Sequence, residues 1–245
     1  FRQVHVLRAF RRVHVLRAFR QVHVLRAFRR VHVLRAFRRD ENGSIRPWDP
    51  DRVDSLAKPC YDYKGLSRSR EFLEKLVESL QQVDFDVYQI DHEDANGQFE
   101  TDFTYTDALG MADRLVFFRL MANEIARKHG AFASFMPKPS ANRTGSGAHY
   151  NMSLADRETG RNLFDPANGE DTYGCGVTQM AYHFIAGVMK HAKAISAVIA
   201  PTVNSYKRLV RKGSMSGSTW APVFVCYGNN NRTNMLRIPS QGGRV

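Results

Sequence analysis

The sequence predicts an α+β fold, and three observations support this prediction. Residues 86–105 alternate polar and apolar side chains around Asn96-Gly97, a dipeptide that favours an antiparallel hairpin. Three longer segments repeat apolar residues at helical spacing. Short runs of strand-forming residues separate these segments irregularly, which is typical of an α+β protein. These further strands are predicted at 131–137, 148–154, 222–227 and 233–238.

The first two helices are predicted at 68–82 and 107–128. Ser67 or Ser69 is the candidate N-cap of the first helix, because a serine hydroxyl can accept a hydrogen bond from the free N–H groups of the first turn. Thr106 is the candidate N-cap of the second helix for the same reason.

The third helix is predicted at 176–199, ending before Pro201. It is strongly apolar but carries two histidines and two lysines, so the sequence favours a buried helix over a membrane span. No stretch resembles a signal peptide, and the three cysteines are widely spaced. These features predict a cytoplasmic protein without a membrane partner.

Residues 2–37 are four copies of a nine-residue unit, alternately RQVHVLRAF and RRVHVLRAF. A nine-residue period matches neither helical nor strand periodicity, so the apolar residues of successive copies fall on opposite faces. We therefore predict that residues 1–37 are a repeat tract outside the native fold and that 38–245 form the folded domain. An Arg-rich arm that binds a polyanion is the alternative.

The net charge of +12 comes from the repeat tract, because residues 1–39 contain 12 arginines and no acidic residue. The rest of the chain has 24 basic and 24 acidic residues. A neutral body lacks the charge excess that nucleic-acid-binding proteins use, so we expect no nucleic-acid partner.

The predicted hairpin collects acidic side chains on one face. A two-residue turn at Asn96-Gly97 would pair Glu93 with Glu100 and Asp91 with Asp102. Opposed carboxylates repel each other, and a divalent cation such as Mg²⁺ or Mn²⁺ would remove that cost. An acidic strand face that is only solvated is the alternative.

Four blocks resemble the glutamine synthetase family, in the same order along the chain. They are HEDANGQFE at the hairpin, FMPKPSANRTGSGAHYNMS at 135–153, PTVNSYKRLV at 201–210 and NRTNMLRIP at 231–239. The resemblance covers about residues 38–245. It implies a glutamine synthetase-like catalytic domain with a curved antiparallel sheet flanked by long helices, here incomplete at both ends. It also implies a ligase of nitrogen metabolism that joins L-glutamate to ammonia through a γ-glutamyl phosphate made from ATP.

The resemblance implies a role for each matching residue. Metal ligands for Mg²⁺ or Mn²⁺ would be Glu93, Glu100 and His149. Gly145, Arg208 and Arg232 would bind glutamate, whereas Ser153, Arg237 and Arg244 would bind ATP. Arg232, Arg237 and His149 would take part in catalysis. Arginine suits these roles because its planar guanidinium binds two oxygens together.

The sequence also departs from the family pattern. VLRAF occupies the place of a Glu-x-Glu-Phe strand that supplies two metal ligands, and Val245 precedes a further expected glutamate. A small N-terminal domain that completes sites between subunits is missing, although the resemblance implies a homo-oligomer. We therefore predict impaired catalysis, with a non-catalytic relative that binds nucleotide or glutamate as an alternative.

The segment between Arg208 and Pro222 contains no acidic residue, where ordinary glutamine synthetases carry a glutamate that helps to deprotonate ammonium. Its SGSTW sequence and the hairpin resemble the type III and γ-glutamylmethylamide synthetase branch. We expect ammonia as the acceptor, and a small primary amine such as methylamine is the alternative.

Overall fold

The computed structural model describes residues 24–50, 58–104, 106–211 and 221–239, and the side chains of the first range from residue 34 onward. The predicted α+β class is confirmed. The strands are β1 Val24–Arg39, β2 Ile45–Pro47, β3 Val87–His92, β4 Gln98–Phe103, β5 Phe132–Ser134, β6 Ala148–Ala155, β7 Tyr227–Asn229 and β8 Leu236–Ile238. The helices are α1 Tyr63–Arg68, α2 Arg70–Gln81, α3 Ala108–Lys128, α4 Gln179–Ile199 and α5 Val203–Arg208.

The long strand β1 organises a six-stranded sheet. The strand order is β2-β1-β4-β3, and β5 and β6 also pair with β1. The pairings of β1 with β2, β4 and β5 are antiparallel, as is that of β3 with β4. Separately, β7 and β8 form a parallel pair.

The last copy of the repeat lies within β1, so the expectation that the repeats form no strand is wrong for residues 24–37. Leu34 and Ala36 are fully buried in the core, and Arg35, whose side chain alternates with theirs, is fully buried as well. A strand that is covered on both faces does not need an apolar residue at every second position. Residues 1–23 lie outside the described part of the chain.

The helix predicted at 68–82 is confirmed as α2, Arg70–Gln81, and a short helix that was not predicted, α1, precedes it across Ser69. Ser69 is the N-cap of α2 as predicted, but its side chain makes no capping hydrogen bond. The N-cap of α1 is Asp62, whose side chain accepts a hydrogen bond from Gly65 N at 2.7 Å. The N-cap of α3 is Asp107 and not Thr106, because the Asp107 carboxylate accepts hydrogen bonds from Leu109 N and Gly110 N.

An aromatic core lies between the sheet and helices α2 and α3. Apolar residues at Phe72, Leu76 and Leu80 occupy one face of α2 and are almost completely buried. Phe103 of β4 contacts the ring of Phe118 of α3, with ring centroids 5.8 Å apart. This core fixes β4 against α3 and leaves the opposite face of β4 for polar side chains.

Helix α4 confirms the third predicted helix and ends before Pro201, but the expectation that it is buried is wrong. Its buried residues are Ala181, Tyr182 and Ala192. The two ends of the helix keep exposed apolar residues at Met180 and Val198. No helix in the described ranges is both long enough and apolar enough to cross a membrane.

The chain divides into two compact units, which are described separately. The first comprises residues 28–151 and 193–224 and contains the aromatic core and the acidic hairpin. Of the described residues, the second contains 24–27, 152–192 and 225–239. In the second unit, Phe164 contacts Phe184, and Tyr182 contacts Tyr173 and Tyr227.

Candidate active site

The acidic hairpin is present, but its register differs from the predicted one. Asp91 pairs with Glu100, and Asp102 pairs with Gln89, with a bulge between Val87 and Gln89. The loop therefore contains the five residues 93–97 and not the two residues Asn96-Gly97. The predicted pairs of Glu93 with Glu100 and Asp91 with Asp102 are wrong, because Glu93 N bonds to Gln98 O at 2.8 Å and closes a longer loop.

Contacts outside the hairpin explain the longer loop. Gly97 O accepts a hydrogen bond from Ala36 N at 2.7 Å, which ties the loop to β1. Gly97 has φ of +64°, and a Cβ there would lie 2.7 Å from Ala36 O and 2.9 Å from Trp48 O. A glycine is required for this close approach. The tertiary contact overrides the local preference of Asn-Gly for a two-residue turn.

The five-residue loop still leaves the carboxylates together. Ligand atoms of Asp91, Glu100 and Asp102 all lie within 4.8 Å of one another. Glu93, at the start of the loop, reaches Glu100 with a side-chain hydrogen bond. Burial and then Glu93, followed by the charges of Asp102 and Asp91, raise the pKa of Glu100 to about 9.

This donor set fits a hard divalent cation. Mg²⁺ and Mn²⁺ prefer carboxylate oxygens, and a cation would offset the mutual repulsion that raises the pKa of Glu100. Sequence reasoning placed Asp91 and Asp102 on the acidic face but did not assign them as ligands. Their cross-strand placement on the face of Glu100 is the signal that could have done so.

The register of β1 changes which positions lack a carboxylate. Val33 is the cross-strand partner of Glu100, and Val31 is the partner of Asp102. Leu34 and Ala36 lie in the core. Carboxylates that complete the acidic cluster from β1 would therefore stand at 31 and 33, of which only position 33 lies within the VLRAF segment.

Arg208, at the end of α5, lies across a glycine-rich turn. A Cβ at Gly145 would lie 2.9 Å from Arg208 Cδ, and one at Gly147 would lie 2.6 Å from Arg208 Nη2. Arg208 is half-buried, and this burial lowers the pKa of its guanidinium, with no contribution from a carboxylate of the described residues. Two residues predicted to bind glutamate, Gly145 and Arg208, are thus in direct contact.

A reciprocal pair of hydrogen bonds holds α5 beside this turn. Lys138 N donates to Asn204 Oδ1 at 2.6 Å, and Asn204 Nδ2 donates to Lys138 O at 2.9 Å. Burial lowers the pKa of Lys138, and the charges of Arg35, Arg208 and Lys58 lower it further. Sequence reasoning missed Asn204, although it lies inside the NSYKRL block.

The other predicted site residues lie on β6, in or near β8, or outside the described part of the chain. His149 is exposed near the start of β6 and is not in the described carboxylate group within 4.8 Å, so its role as a metal ligand stays a prediction. In the second unit, Ser153 is half-buried in β6, and Arg232 and Arg237 are exposed. Arg244 and the SGSTW segment lie outside the described residues.

Comparisons with known proteins agree with the four sequence blocks. The family model described as the catalytic domain of glutamine synthetase matches residues 32–245, beginning inside the last repeat copy. A glutamate–methylamine ligase of Methyloversatilis universalis is 55% identical over 207 residues, which are 84% of this chain and 45% of that relative. A glutamine synthetase of Rhizobium meliloti is 43% identical over 192 residues, 78% of this chain and 43% of that protein.

Solved structures give the same result. One described as a GmaS/ADP complex has a TM-score of 0.69 and 42% identity, covering 85% of this chain and 47% of that chain. A ligand-free GmaS structure also has a TM-score of 0.69, with 41% identity over 89% of this chain and 47% of that chain. The chain spans less than half the length of these relatives. By its family match, its identity to these relatives and its fold, the chain belongs to the glutamine synthetase family.

Proposed function

We propose that this chain carries the amino-acid and metal sites of an ATP-dependent γ-glutamyl ligase. The observation that carries the proposal is the position of Arg208, a half-buried cation whose lowered pKa no carboxylate of the described residues offsets, directly over Gly145 and Gly147. An anion that binds at such a site loses its bound water and gains contacts with the guanidinium and with backbone groups. The α-carboxylate of glutamate is the anion that the family uses there.

The acidic cluster supplies the second part of the proposed site. Asp91, Glu100 and Asp102, with Glu93 beside Glu100, would hold Mg²⁺ or Mn²⁺. A bound divalent cation would neutralise phosphoryl oxygens and the γ-carboxylate that approaches them. We assign the phosphate-side roles to Arg232, Arg237 and Arg244 from the family motif.

We propose methylamine as the acceptor, with ammonia as the second candidate. The identity to a glutamate–methylamine ligase is 55%, compared with 43% for a glutamine synthetase. The absence of an acidic residue between Arg208 and Pro222 supports the same choice. Ammonia is kept because several relatives that are 37–43% identical are glutamine synthetases.

Phosphate release from ATP and glutamate, with methylamine and ammonia compared in parallel, tests the acceptor. Mass spectrometry of the product identifies the γ-glutamyl amide that each amine forms. We expect slow turnover and a higher kcat/KM with methylamine. A higher kcat/KM with ammonia would reverse the choice, and binding of both ATP and glutamate without any product would favour a non-catalytic relative.

Calorimetric titration of glutamate tests the site itself. Arg208→Ala should weaken binding about 10- to 150-fold, because a charge-assisted hydrogen bond contributes about 1.5–3 kcal/mol. Lys207→Ala is the matched control, since Lys207 is the adjacent cation and is exposed. Arg232→Ala should lower the rate of phosphate release more than the affinity for glutamate. Equal weakening of glutamate binding by all three changes would contradict these roles.

A further inference from the structure

Gln98 joins two loops of the candidate site. One is the metal loop, residues 93–97, and the other is the glycine loop, residues 137–147. Gln98 is 1% exposed, and both ends of its amide are occupied. Its Oε1 accepts hydrogen bonds from Arg35 Nη2 at 3.2 Å and Ala95 N at 3.1 Å. Its Nε2 donates to Gly145 O at 3.2 Å and Ser146 Oγ at 3.1 Å.

Two further hydrogen bonds connect the same loops. Thr144 Oγ1 donates to Asp94 Oδ2, and Arg143 Nη1 donates to Asn96 Oδ1 at 2.5 Å. Gln98 differs from the residues of both hydrogen bonds, because its side chain is the most deeply buried of them and lies on the face of β4 that carries Glu100. A buried amide with all its hydrogen bonds made has few alternative positions.

The glycine loop carries the connection onward to Arg208. Ser146 N donates to Pro137 O at 2.9 Å, and Lys138 is held to Asn204 of α5 by the reciprocal hydrogen bonds described above. Arg208 ends α5 and contacts Gly145. Hydrogen bonds therefore run from the metal loop through the glycine loop to Asn204, and the backbone of α5 connects Asn204 with Arg208.

We propose that Gln98 is a positioning residue that couples cation binding at the acidic cluster to amino-acid binding at Gly145 and Arg208. This inference rests on the proposed function. A cation that fixes Glu93 and Glu100 also fixes the metal loop, and the Gln98 amide then holds the Gly145 carbonyl in the orientation that suits the amino acid. By linkage, a cation that strengthens glutamate binding is itself bound more tightly when glutamate is present.

The test measures the Kd of glutamate with and without Mn²⁺, and the Kd of Mn²⁺ with and without glutamate, by calorimetry. Gln98→Leu removes all four side-chain hydrogen bonds. Gln98→Glu keeps the oxygen acceptors for Arg35 and Ala95 but removes the donor to Gly145 O, so it separates coupling from packing. Gln81→Leu, at an exposed position that ends α2, is the matched control.

In the wild-type chain and in Gln81→Leu, we expect Mn²⁺ to lower the Kd of glutamate about tenfold. In both Gln98 variants, Mn²⁺ should lower the Kd of glutamate by less than about twofold. The circular dichroism spectrum of each variant should match that of the wild-type chain. An unchanged factor in Gln98→Glu would overturn the inference while leaving the proposed function intact. Failure of the wild-type chain to bind glutamate in either condition would instead refute the proposed function.

If neither Gln98 variant folds, hydrogen exchange of the wild-type chain tests whether the metal loop is coupled to the glycine loop. Mn²⁺ alone should slow exchange of the amides at 143–147 if the metal loop is coupled to the glycine loop. Slowing confined to the hairpin, with no change in the glycine loop, would overturn the inference.

Discussion

Replacing Arg35 with methionine is expected to stabilise the protein. The guanidinium of Arg35 is fully buried, and among the described residues its Nε and Nη1 atoms have no hydrogen-bond partner. Burial and then the charge of Arg143 lower the pKa of Arg35 to about 10, and Asp94 opposes this only in part. A buried cation with two unsatisfied donors costs free energy that an apolar side chain of similar length does not.

The magnitude follows from what the substitution removes. Arg35 Nη2 donates to Gln98 Oε1 at 3.2 Å and to Thr144 O, and losing these two hydrogen bonds costs about 1–3 kcal/mol. Removing the buried charge and its two unpaired donors outweighs this loss, since apolar replacement of buried ionic groups often leaves a net stabilisation of about 1–4 kcal/mol after the lost hydrogen bonds are counted. We expect a net gain of about 1–3 kcal/mol in the free energy of unfolding.

Urea unfolding and thermal melting measure the effect. A gain of this size corresponds to an increase in Tm of about 2–12 °C for a chain of this length. Arg46→Met is the matched control, because Arg46 forms an exposed ion pair with Asp40 and should change stability by less than about 0.5 kcal/mol. A loss of stability in Arg35→Met that exceeds the loss in the control would refute the reasoning. It would mean that the two hydrogen bonds outweigh the cost of burial.

Two further changes test the acidic cluster and the glycine loop. The pKa of Glu100, about 9 in the folded protein, lies above its ordinary value of 4.5, so the metal-free folded state keeps a proton that the unfolded state has released. Stability should therefore fall as pH rises between these values, and Glu100→Gln should reduce the loss of Tm between about pH 5 and pH 8. Gly145→Ala should lower both Tm and glutamate affinity, because its Cβ would lie 2.5 Å from Pro137 O. Gly130→Ala, at an open position, should change stability without changing glutamate affinity.

Local patterns predicted the elements of the first unit better than their pairing. The alternation in residues 86–105 predicted a hairpin with Phe99 and Phe103 on its apolar face, and both are fully buried. The register followed from Gly97 meeting Ala36 and Trp48, which are more than 40 residues away in sequence. Sequence rules for turns use only neighbouring residues and do not include this long-range contact. The prediction from Asn96-Gly97 alone therefore gave the wrong pairing of β3 with β4.

In the candidate site, too, the sequence motifs identified individual residues but not the contacts between them. Family motifs indicated Gly145 and Arg208 separately, and the structure brings them into contact. Gln98 also lies inside a motif, but its importance follows from four hydrogen bonds to residues up to 63 positions away. Arg35 could not be predicted as buried, because its apolar neighbours in the repeat have no regular strand period.

The strand register predicts where cation affinity can be increased. Val31 and Val33 are the cross-strand partners of Asp102 and Glu100, so glutamates at both positions would face the acidic cluster. We expect Val31→Glu/Val33→Glu to lower the Kd of Mn²⁺ at least about tenfold, since affinity rises with the number of carboxylate ligands. The control is Val31→Gln/Val33→Gln, which has the same side-chain length without the charge.

The metal-free and metal-loaded forms of the glutamate variant should respond in opposite directions. Added carboxylates increase the repulsion that already raises the pKa of Glu100, so the metal-free variant should melt at a lower temperature than the glutamine control. Mn²⁺ should remove this difference, because a ligand that binds only the folded state stabilises it by mass action. If Mn²⁺ stabilises both variants equally, positions 31 and 33 do not contribute to the cation site, and the register argument fails.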